Sequence, residues 1–378
     1  MNHIRREQMQ FEVFELERNQ SLFENEVDYN LSESGVHPLK LSEILTNEEQ
    51  KQILNTELFY GYTNGTPALR NMIAKMYGGS VGPDNVLITS GSAEANFLAV
   101  MSQLEPGDEM IYMLPNYPQL LGLARSFGIE VKELFLHQDL GWQVDEDELK
   151  SLVTSKTKMI AVCNPNNPTG SIMKETIMDE VINICEENDC WLLSDEVYRG
   201  AELDGKECRS FVGATKKTVV NAGLSKAYSL PGLRIGWGVG SEEYIKRAWS
   251  FHDYTVINVA YLSDWVASKI MQYDRRMKIL NRTKEHLNHN LDMLYLWSKN
   301  IPQLTLSRPD AAAISFVKLN IKMNSQDFVY RLRDDFSVLL TAGSWHGMEG
   351  YVRIGYGTPT EYVRRALKRV EKFLQSLN

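Results

Sequence analysis

The chain has 378 residues, 43% of them hydrophobic, which is enough for a large core and a smaller companion unit. The formal net charge is -9, from 49 acidic and 40 basic residues without a block of like charge, so nucleic acid and anionic membranes are poor partners. The four cysteines form neither metal-type pairs nor a disulfide framework, so we expect reduced thiols, no metal site and a cytoplasmic protein. The polar residues 1–10 do not resemble a signal peptide, and no apolar run is long enough to span a bilayer.

The N-terminal region predicts short elements. Residues 10–26 place phenylalanines and leucines among acids, which is typical of an amphipathic helix. Residues 29–35 read as a short strand that ends in a loop, and residues 41–54 as a second helix. Residues 60–70 form a turn-rich loop closed by Pro67 near a helix start.

From residue 85 onward, apolar runs alternate with amphipathic segments. The predicted strands are 86–89, 110–114, 130–135, 158–163, 191–194, 218–221 and 235–239, and the predicted helices are 93–103, 117–127, 145–152 and 175–187. Uninterrupted apolar strands are typical of a sheet buried on both faces. The fold class is therefore α/β, with a mostly parallel seven-stranded sheet sandwiched by helices. In such folds, ligands bind beyond the carboxyl ends of the strands.

The sequence pattern changes after residue 274. A long charged helix at 275–299 precedes strands at 313–319, 338–340 and 351–356 and helices at 326–334 and 360–377. This predicts a smaller α+β domain drawn from both termini. We expect residues 1–45 to form an N-terminal arm and part of the small domain, 46–274 the large domain, and 275–378 the C-terminal small domain.

The stretch from Asn221 to Trp237 carries the strongest chemical signal. Lys226 follows a predicted strand, and Arg234 follows the turn at Pro231 and Gly232. A lysine beside another cation can lose its proton near neutral pH and form an imine, and Arg234 with the Ser225 hydroxyl suits a phosphate. This pair suggests pyridoxal 5′-phosphate (PLP). The alternative is a surface lysine and a structural arginine.

Other motifs also follow predicted strands. Ser92 and Ala93 open a helix whose N-terminal amides can hold a phosphate, although an ordinary N-cap is the alternative. Tyr117 could stack on a planar ring or simply pack. In the segment 164–170, prolines fix the backbone and present the amide of Asn167, which exceeds what a plain turn needs.

An acidic residue at the end of a buried strand needs a charged or protonated partner. Asp195 stands in this position, and a pyridinium nitrogen would meet the need, with Tyr198 donating to the ring 3-oxygen. The alternative for Asp195 is a helix N-cap.

These motifs, in this order, make the chain resemble a fold-type-I PLP-dependent aminotransferase of the class I/II superfamily over about residues 30–378. The segments that carry the resemblance are 60–70, 90–93, 115–117, 164–170, 195–198, 225–234 and 353–355. The resemblance implies an EC 2.6.1-like enzyme that moves the amino group of an α-amino acid to a 2-oxo acid through a Lys226 aldimine.

The resemblance also assigns roles. It implies that Asp195 pairs with the pyridine nitrogen, that Tyr198 and Asn167 contact the ring 3-oxygen, and that Tyr117 stacks on the ring. Further implied roles are phosphate binding by Ser92, Ala93, Ser225 and Arg234, phosphate binding across a homodimer interface by Tyr60, α-carboxylate binding by Arg353 (with Asn167 also near the substrate), and a loop over the substrate at Gly35.

The chain departs from the superfamily pattern in four places. Gly223 stands where several relatives have a serine, the segment 252–264 is unusual, and no second arginine for a dicarboxylate is evident. Glu33 lies near Gly35 and could meet a cationic substrate, or it could be a solvated loop acid.

Three alternatives to transamination stay open. The first is a PLP-dependent lyase, cyclising synthase or amine-oxidising relative that acts on an amino acid, including a basic one. The second is a PLP-sensing regulator, which the acidic charge disfavours. The third is a relative with a dead site, which the presence of Lys226, Asp195 and Arg353 disfavours.

Overall fold

A computed structural model describes residues 11–79 and 81–377. The strands of these residues are β1 (Tyr29–Asn30), β2 (Val86–Thr89), β3 (Glu109–Leu114), β4 (Glu130–His137), β5 (Gln143–Val144), β6 (Thr157–Cys163), β7 (Trp191–Asp195), β8 (Thr218–Gly223), β9 (Gly236–Val239), β10 (Leu304–Leu306), β11 (Ile314–Leu319), β12 (Val338–Leu339), β13 (Thr341–Ala342) and β14 (Tyr351–Gly355). The α-helices are α1 (Glu15–Phe23), α2 (Leu41–Ile44), α3 (Asn47–Leu54), α4 (Pro67–Tyr77), α5 (Ser92–Gln103), α6 (Gln119–Ser126), α7 (Glu146–Leu152), α8 (Glu175–Glu187), α9 (Glu242–His252), α10 (Tyr261–Ile270), α11 (Tyr273–Ser298), α12 (Ser325–Phe336) and α13 (Thr360–Gln375).

The polar segment 1–10, which includes the first residue of the predicted helix 10–26, lies outside the described residues. Within the described part of the chain, no helix is long and apolar enough to cross a membrane.

The large sheet has the strand order β2-β9-β8-β7-β6-β3-β4-β5. Strands β8, β7, β6, β3 and β4 run parallel, whereas β9, β2 and β5 pair antiparallel to their neighbours. All seven predicted strands are present. The eighth strand, β5, was not predicted because its two residues are too few for a periodic signal.

Alternating side chains explain why helices cover both faces of this sheet. Along β3, Met110 and Tyr112 pack with α5, α6 and α9, while Ile111 and Met113 pack with α7 and α8. Since successive residues of a strand point to opposite faces, one apolar run serves two cores. The register aligns the ends of β6, β7 and β8, where Cys163 pairs with Asp195 and Asp195 with Asn221.

The smaller unit combines both ends of the chain. Strands β10, β11, β14 and β13 form an antiparallel sheet, and β1 pairs in parallel with β12. The backbone of the N-terminal strand region lies so close to β14 that a Cβ on Gly355 would stand 2.0 Å from the carbonyl oxygen of Glu33. The predicted domain limits (1–45, 46–274 and 275–378) stay predictions.

Two helical regions differ from the sequence-based expectation. The predicted helix 41–54 divides into α2 and α3, because Leu45 is extended and Thr46 starts a new helix with a capping box to Glu49. The unusual segment 252–264 contains the end of α9, a tight turn and the start of α10.

Candidate active site

A cleft of about 910 Å³ lies at the carboxyl ends of the parallel strands, where Leu114, Cys163 and Asp195 end β3, β6 and β7. The cleft brings together most of the residues predicted from the sequence. Its lining includes Glu33, Ser92, Ala93, Tyr117, Asn167, Asp195, Tyr198, Ser225, Lys226, Arg234 and Arg353.

Lys226 lies in the turn that follows β8, with its Nζ 3.2 Å from Glu33 Oε1. Burial disfavours the charged amine, but the charge of the Glu33 carboxylate and its hydrogen bond act in the opposite direction, and the pKa of Lys226 is raised. The expectation that a neighbouring cation lowers this pKa is therefore wrong for the protein without cofactor. The charge of Arg353 acts in the expected direction but has a smaller effect.

Arg234 is held against the N-terminus of α5. Its backbone is left-handed (φ 50°), and its Nη1 donates to Ser225 Oγ at 3.3 Å. Gly91 makes this approach possible, because a Cβ at this position would stand 2.3 Å from Arg234 Nη2. The guanidinium, the hydroxyl and the helix amides of Ser92 and Ala93 thus form one group of anion donors.

The structure also explains why position 223 is a glycine. A Cβ at this position would lie 3.0 Å from the carbonyl oxygen of Ile235 and 3.6 Å from the amide nitrogen of Ser92. A serine there would press on neighbouring backbone, so the chain uses Ser225 as its hydroxyl donor and keeps the strands close together.

Asp195 is buried at the end of β7, with 8% of its surface exposed. Its Oδ2 accepts a hydrogen bond from Asn96 Nδ2 at 2.9 Å, and its Oδ1 accepts from the amide of Val197 at 3.1 Å. Burial raises the pKa of Asp195, and no described cation lies within ion-pair distance of it. A carboxyl group in this state would gain from a positively charged ring nitrogen.

Two tyrosines present their rings or hydroxyls in the cleft. The Tyr198 hydroxyl is buried and makes no regular hydrogen bond with the described residues. The Tyr117 hydroxyl donates to Glu17 Oε1 on α1 at 2.7 Å. Burial raises the pKa of both phenols, so both stay protonated and can donate.

Arg353 on β14 is 1% exposed, and its guanidinium faces the same cleft. Nη1 donates to Asn167 Oδ1 at 2.9 Å and Nη2 donates to the carbonyl oxygen of Ser32 at 2.6 Å. Nε has no partner among the described residues. Burial lowers the pKa of Arg353, and a bound carboxylate would restore the counter-charge that this cation lacks.

Two predicted residues do not line the cleft. Gly35 lies just behind it, where an added Cβ would be 3.6 Å from Lys226 Cδ and 3.0 Å from Glu33 Oε1. Tyr60 is 80% exposed on a surface loop and does not belong to the lining of its own subunit's cleft.

Sequence reasoning missed several residues of the site. Asn96 lies one helical turn after Ser92 on the cleft face of α5, and Asn221 Nδ2 donates to its Oδ1 at 2.9 Å. The i, i+4 spacing from Ser92 could have identified Asn96. Glu17 lies on α1 and Glu24 directly follows it, and only the tertiary structure brings this helix to the cleft.

These residues fit PLP in number and chemistry. Anion donors lie at the start of α5. One turn further along this helix, Asn96 contacts the buried carboxyl group of Asp195, which has no cation as a partner among the described residues. The amine of Lys226 lines the same cleft. The unpartnered Tyr198 hydroxyl supplies a further donor. This set matches the phosphate, the ring nitrogen, the aldehyde and the ring oxygen of the cofactor.

Comparison with known proteins gives the family. The profile of the family "Aminotransferase class I and II" matches residues 27–370. A PLP-dependent aminotransferase from Streptococcus suis has a solved structure that superposes with a TM-score of 0.92, at 33% identity, covering 98% of this chain and 99% of the other.

Curated relatives are more distant in sequence. An aspartate aminotransferase from Pyrococcus horikoshii is 28% identical over 343 residues, which cover 87% of this chain and 88% of the relative. A (5-formylfuran-3-yl)methyl phosphate transaminase from Methanocaldococcus jannaschii is 28% identical over 344 residues and covers 87% of each chain.

The close approach of Gly91 to Arg234 leads to a prediction. Gly91→Ala should weaken PLP binding by roughly tenfold or more, because the new methyl group displaces the guanidinium and the backbone (φ 81°) is strained. Titration of the cofactor-free protein with PLP measures this. Gly213→Ala is the control, since its φ is 76° but nothing lies within 4 Å of the added Cβ. Equal PLP affinities in the two variants would contradict the prediction.

Proposed function

The chain belongs to the class I and II aminotransferases, and on this premise we propose how its own residues carry out the PLP-dependent transfer of an amino group from an amino acid to a 2-oxo acid. The observation that carries the proposal is the convergence of Lys226, Asp195 and Arg353 on one cleft. Asp195 lies on β7, Arg353 on β14 and Lys226 on the turn after β8, so only the folded chain brings them together.

PLP, when bound, supplies the electron-withdrawing ring that stabilises negative charge at Cα of the amino acid. Lys226 would hold the cofactor through its Nζ. Once the substrate amine displaces it, the same Nζ would accept the proton from the substrate Cα and donate it to the cofactor. Asp195 keeps the proton on the ring nitrogen, and Asn96 orients its carboxylate. Tyr198 and Asn167 donate to the ring oxygen, and Tyr117 packs against the ring.

Ser92, Ala93, Ser225 and Arg234 hold the phosphate. Arg353 binds the α-carboxylate of the substrate, since its planar fork is already oriented by Asn167 and the carbonyl of Ser32. The loop that carries Gly35 would border the substrate, since an added Cβ there would lie 3.6 Å from Lys226 Cδ.

A first test replaces Arg353 with lysine. Arg353→Lys should slow the conversion of bound PLP by an α-amino acid by about 100-fold or more, because an ammonium cannot donate two parallel hydrogen bonds and leaves Cα misplaced. Stopped-flow absorbance of the cofactor measures the rate. Arg125→Lys is the control, since Arg125 lies at the rim and pairs with Glu133 at 2.9 Å. A loss in Arg353→Lys no larger than in the control would remove Arg353 from substrate binding.

The charges of the cleft support a particular class of amino donor. Among the described residues that line the cleft, Arg125 is the one cation besides Lys226, Arg234 and Arg353. It forms ion pairs with Glu133 and, at 3.5 Å, with Glu12. No described cation is therefore free for a second substrate carboxylate. Although several relatives are named aspartate aminotransferases, we propose that aspartate is a poor donor here, because an unpaired carboxylate is costly to bury.

The cleft lining contains more carboxylates than cations. Glu33 accepts hydrogen bonds from Lys226 Nζ and from the amide of Gly35 at 2.7 Å, and the charge of Lys226 lowers its pKa to about 2. Burial, together with the charges of Glu33 and Glu17, raises the pKa of Glu24. Once PLP engages Lys226, Glu33 loses its counter-ion, so a cationic substrate side chain would replace it.

The matching prediction uses a panel of donors. Lysine, ornithine and arginine should convert the bound cofactor faster than neutral amino acids, with aspartate slowest. Glu33→Gln should slow the basic donors about tenfold and leave neutral donors nearly unchanged, the effect expected from one lost charge-assisted contact. Product analysis separates transamination from elimination, cyclisation or oxidation.

The control for this panel is Glu12→Gln, at the rim of the cleft, which should leave the order of donors unchanged. If aspartate is the fastest donor, the pocket holds a cation that the described chain does not supply. If Glu33→Gln slows neutral and basic donors equally, Glu33 acts only through Lys226 or the Gly35 loop.

We further propose a cytoplasmic homodimer with shared active sites. Large apolar side chains are exposed at the end of α3, on the loop before α4, on the turn after α9 and at the start of α11. The ring of Phe59 on the loop packs against that of Tyr261 at the start of α10, with the ring centroids 4.5 Å apart. The exposed residues are Leu54, Leu58, Phe59, Tyr60, Tyr62, Tyr254, Val256, Ile257 and Tyr273. A patch of this kind is typical of a subunit interface, and a second copy of the chain would cover it and bring Tyr60 to the partner's phosphate.

Co-expression of two variants tests the sharing. Random pairing of Lys226→Ala with Tyr60→Phe subunits makes about half of the dimers mixed, and each has one intact site, so about a quarter of wild-type activity should return. Tyr254→Phe with Lys226→Ala is the control, since Tyr254 has no predicted role. No gain over the Tyr60→Phe homodimer, or full activity in a monomer, would refute shared sites.

A further inference from the structure

Three side chains form a hydrogen-bonded cluster behind the phosphate-binding turn: two of them, Glu94 and His252, are buried, and Thr255 lies on an exposed turn. Glu94, in the first turn of α5, has 8% of its side chain exposed, and His252 at the end of α9 is fully buried. His252 Nδ1 donates to Glu94 Oε1 at 2.9 Å, and the Thr255 hydroxyl donates to the same oxygen. Glu94 Oε2 accepts from the amide of Ser90 at 2.6 Å. Three donors therefore fix one carboxylate.

This arrangement exceeds an ordinary helix cap. In a capping box, the third helical residue reaches back to the N-cap amide without help from elsewhere. Here Glu94 reaches one residue further back, to Ser90, and its other oxygen is held by residues 158 and 161 positions away in the chain. A local cap would not require His252 and Thr255.

Glu94 is an anion in the helix turn whose amides are proposed to bind the phosphate, so its position matters. Ser92, Ala93 and Asn96 line the cleft, whereas Glu94 does not. A free carboxylate in the first turn would compete with a phosphate for the same amides and repel it. The hydrogen bonds from His252 and Thr255 hold it on the side away from the cleft.

The turn that presents Thr255 is itself tightly constrained. The amides of Thr255, Val256 and Ile257 all donate to the carbonyl oxygen of His252, at 3.0, 3.3 and 3.2 Å. Ile257 has φ 65°, a left-handed backbone that a β-branched residue rarely adopts. In the unusual segment 252–264, the strained backbone of Ile257 therefore lies two residues after Thr255, whose hydroxyl contacts Glu94.

We propose that Glu94, held by His252 and Thr255, is a positioning residue for the cofactor phosphate, which it serves by fixing the Ser90 amide and keeping its own charge out of the cleft. The inference rests on the proposed phosphate site at Ser92, Ala93, Ser225 and Arg234. Its specific consequence is that the cluster favours PLP over pyridoxal, the same ring without the phosphate.

The test compares two ligands on the full-length protein after removal of its cofactor. Titrations with PLP and with pyridoxal, followed by absorbance, give two dissociation constants for each variant. Thr255→Val should weaken PLP about tenfold, the scale of one lost hydrogen bond to a charged group, and change pyridoxal by less than about twofold. Thr255→Ser keeps the hydroxyl and should restore the wild-type ratio.

Thr154→Val is the matched control. Its hydroxyl also donates to a buried glutamate, Glu109 Oε2 at 2.6 Å, but at the opposite, amino end of the sheet. Because Thr255 lies on an exposed turn, its substitution leaves the core intact, and thermal unfolding of each variant checks this. Thr255→Ala provides a second loss of the hydroxyl, with the same expected ratio.

Two failures are distinguishable. If Arg234→Gln lowers the preference for PLP over pyridoxal but Thr255→Val and Thr255→Ala do not, the cluster is only structural and this inference is wrong. If Arg234→Gln also leaves the preference unchanged, the proposed phosphate site is wrong, and the inference falls with it.

Discussion

The cleft depends on the close contact between the start of α5 and the strands β8 and β9. A Cβ on Gly236 would stand 2.3 Å from the amide nitrogen of Ser92, so the backbone of β9 touches the helix N-terminus directly. This contact fixes the helix amides beside Ser225 and Arg234, and the turn from β8 then carries Lys226 into the cleft. Glycine is required because any side chain would separate the helix from the sheet.

Two carboxylates in the same cleft have opposite properties because their surroundings differ. Asp195 is buried at a strand end with an amide partner from Asn96, and burial raises its pKa. Glu33 faces Lys226, whose charge lowers its pKa to about 2. The first group is ready for a cationic ring nitrogen, whereas the second already neutralises the lysine amine. Such separated pKa values are typical of sites that move protons.

The N-terminal segment, which includes α1, forms part of the cleft wall. The backbone amide of Glu12 donates to Ser126 Oγ at 3.0 Å, the ring of Phe14 packs on that of Tyr117, and Glu17 accepts from the Tyr117 hydroxyl. This segment therefore holds Tyr117, an aromatic side chain of the cleft, and adds acids to the cleft wall. A fold does not by itself set which ligand is bound, so residues outside the shared motifs, such as these acids, are where a chain of this family can differ in specificity.

The sequence by itself determined the strands of the large sheet and the family, because those signals are local. Several of the seven predicted strands are uninterrupted apolar runs. Asp195 ends β7, and Asn167 and Lys226 stand within four residues of the ends of β6 and β8, so strand ends predicted that these residues line one cleft. The pKa of Lys226 could not be predicted from neighbouring residues, because it depends on Glu33, which is 193 residues away in the chain. Asn96, Glu17 and the cluster of Glu94 with His252 and Thr255 likewise join distant segments. Only tertiary structure decides such contacts, because electrostatic and hydrogen-bonding partners depend on distance in space and not on distance along the chain.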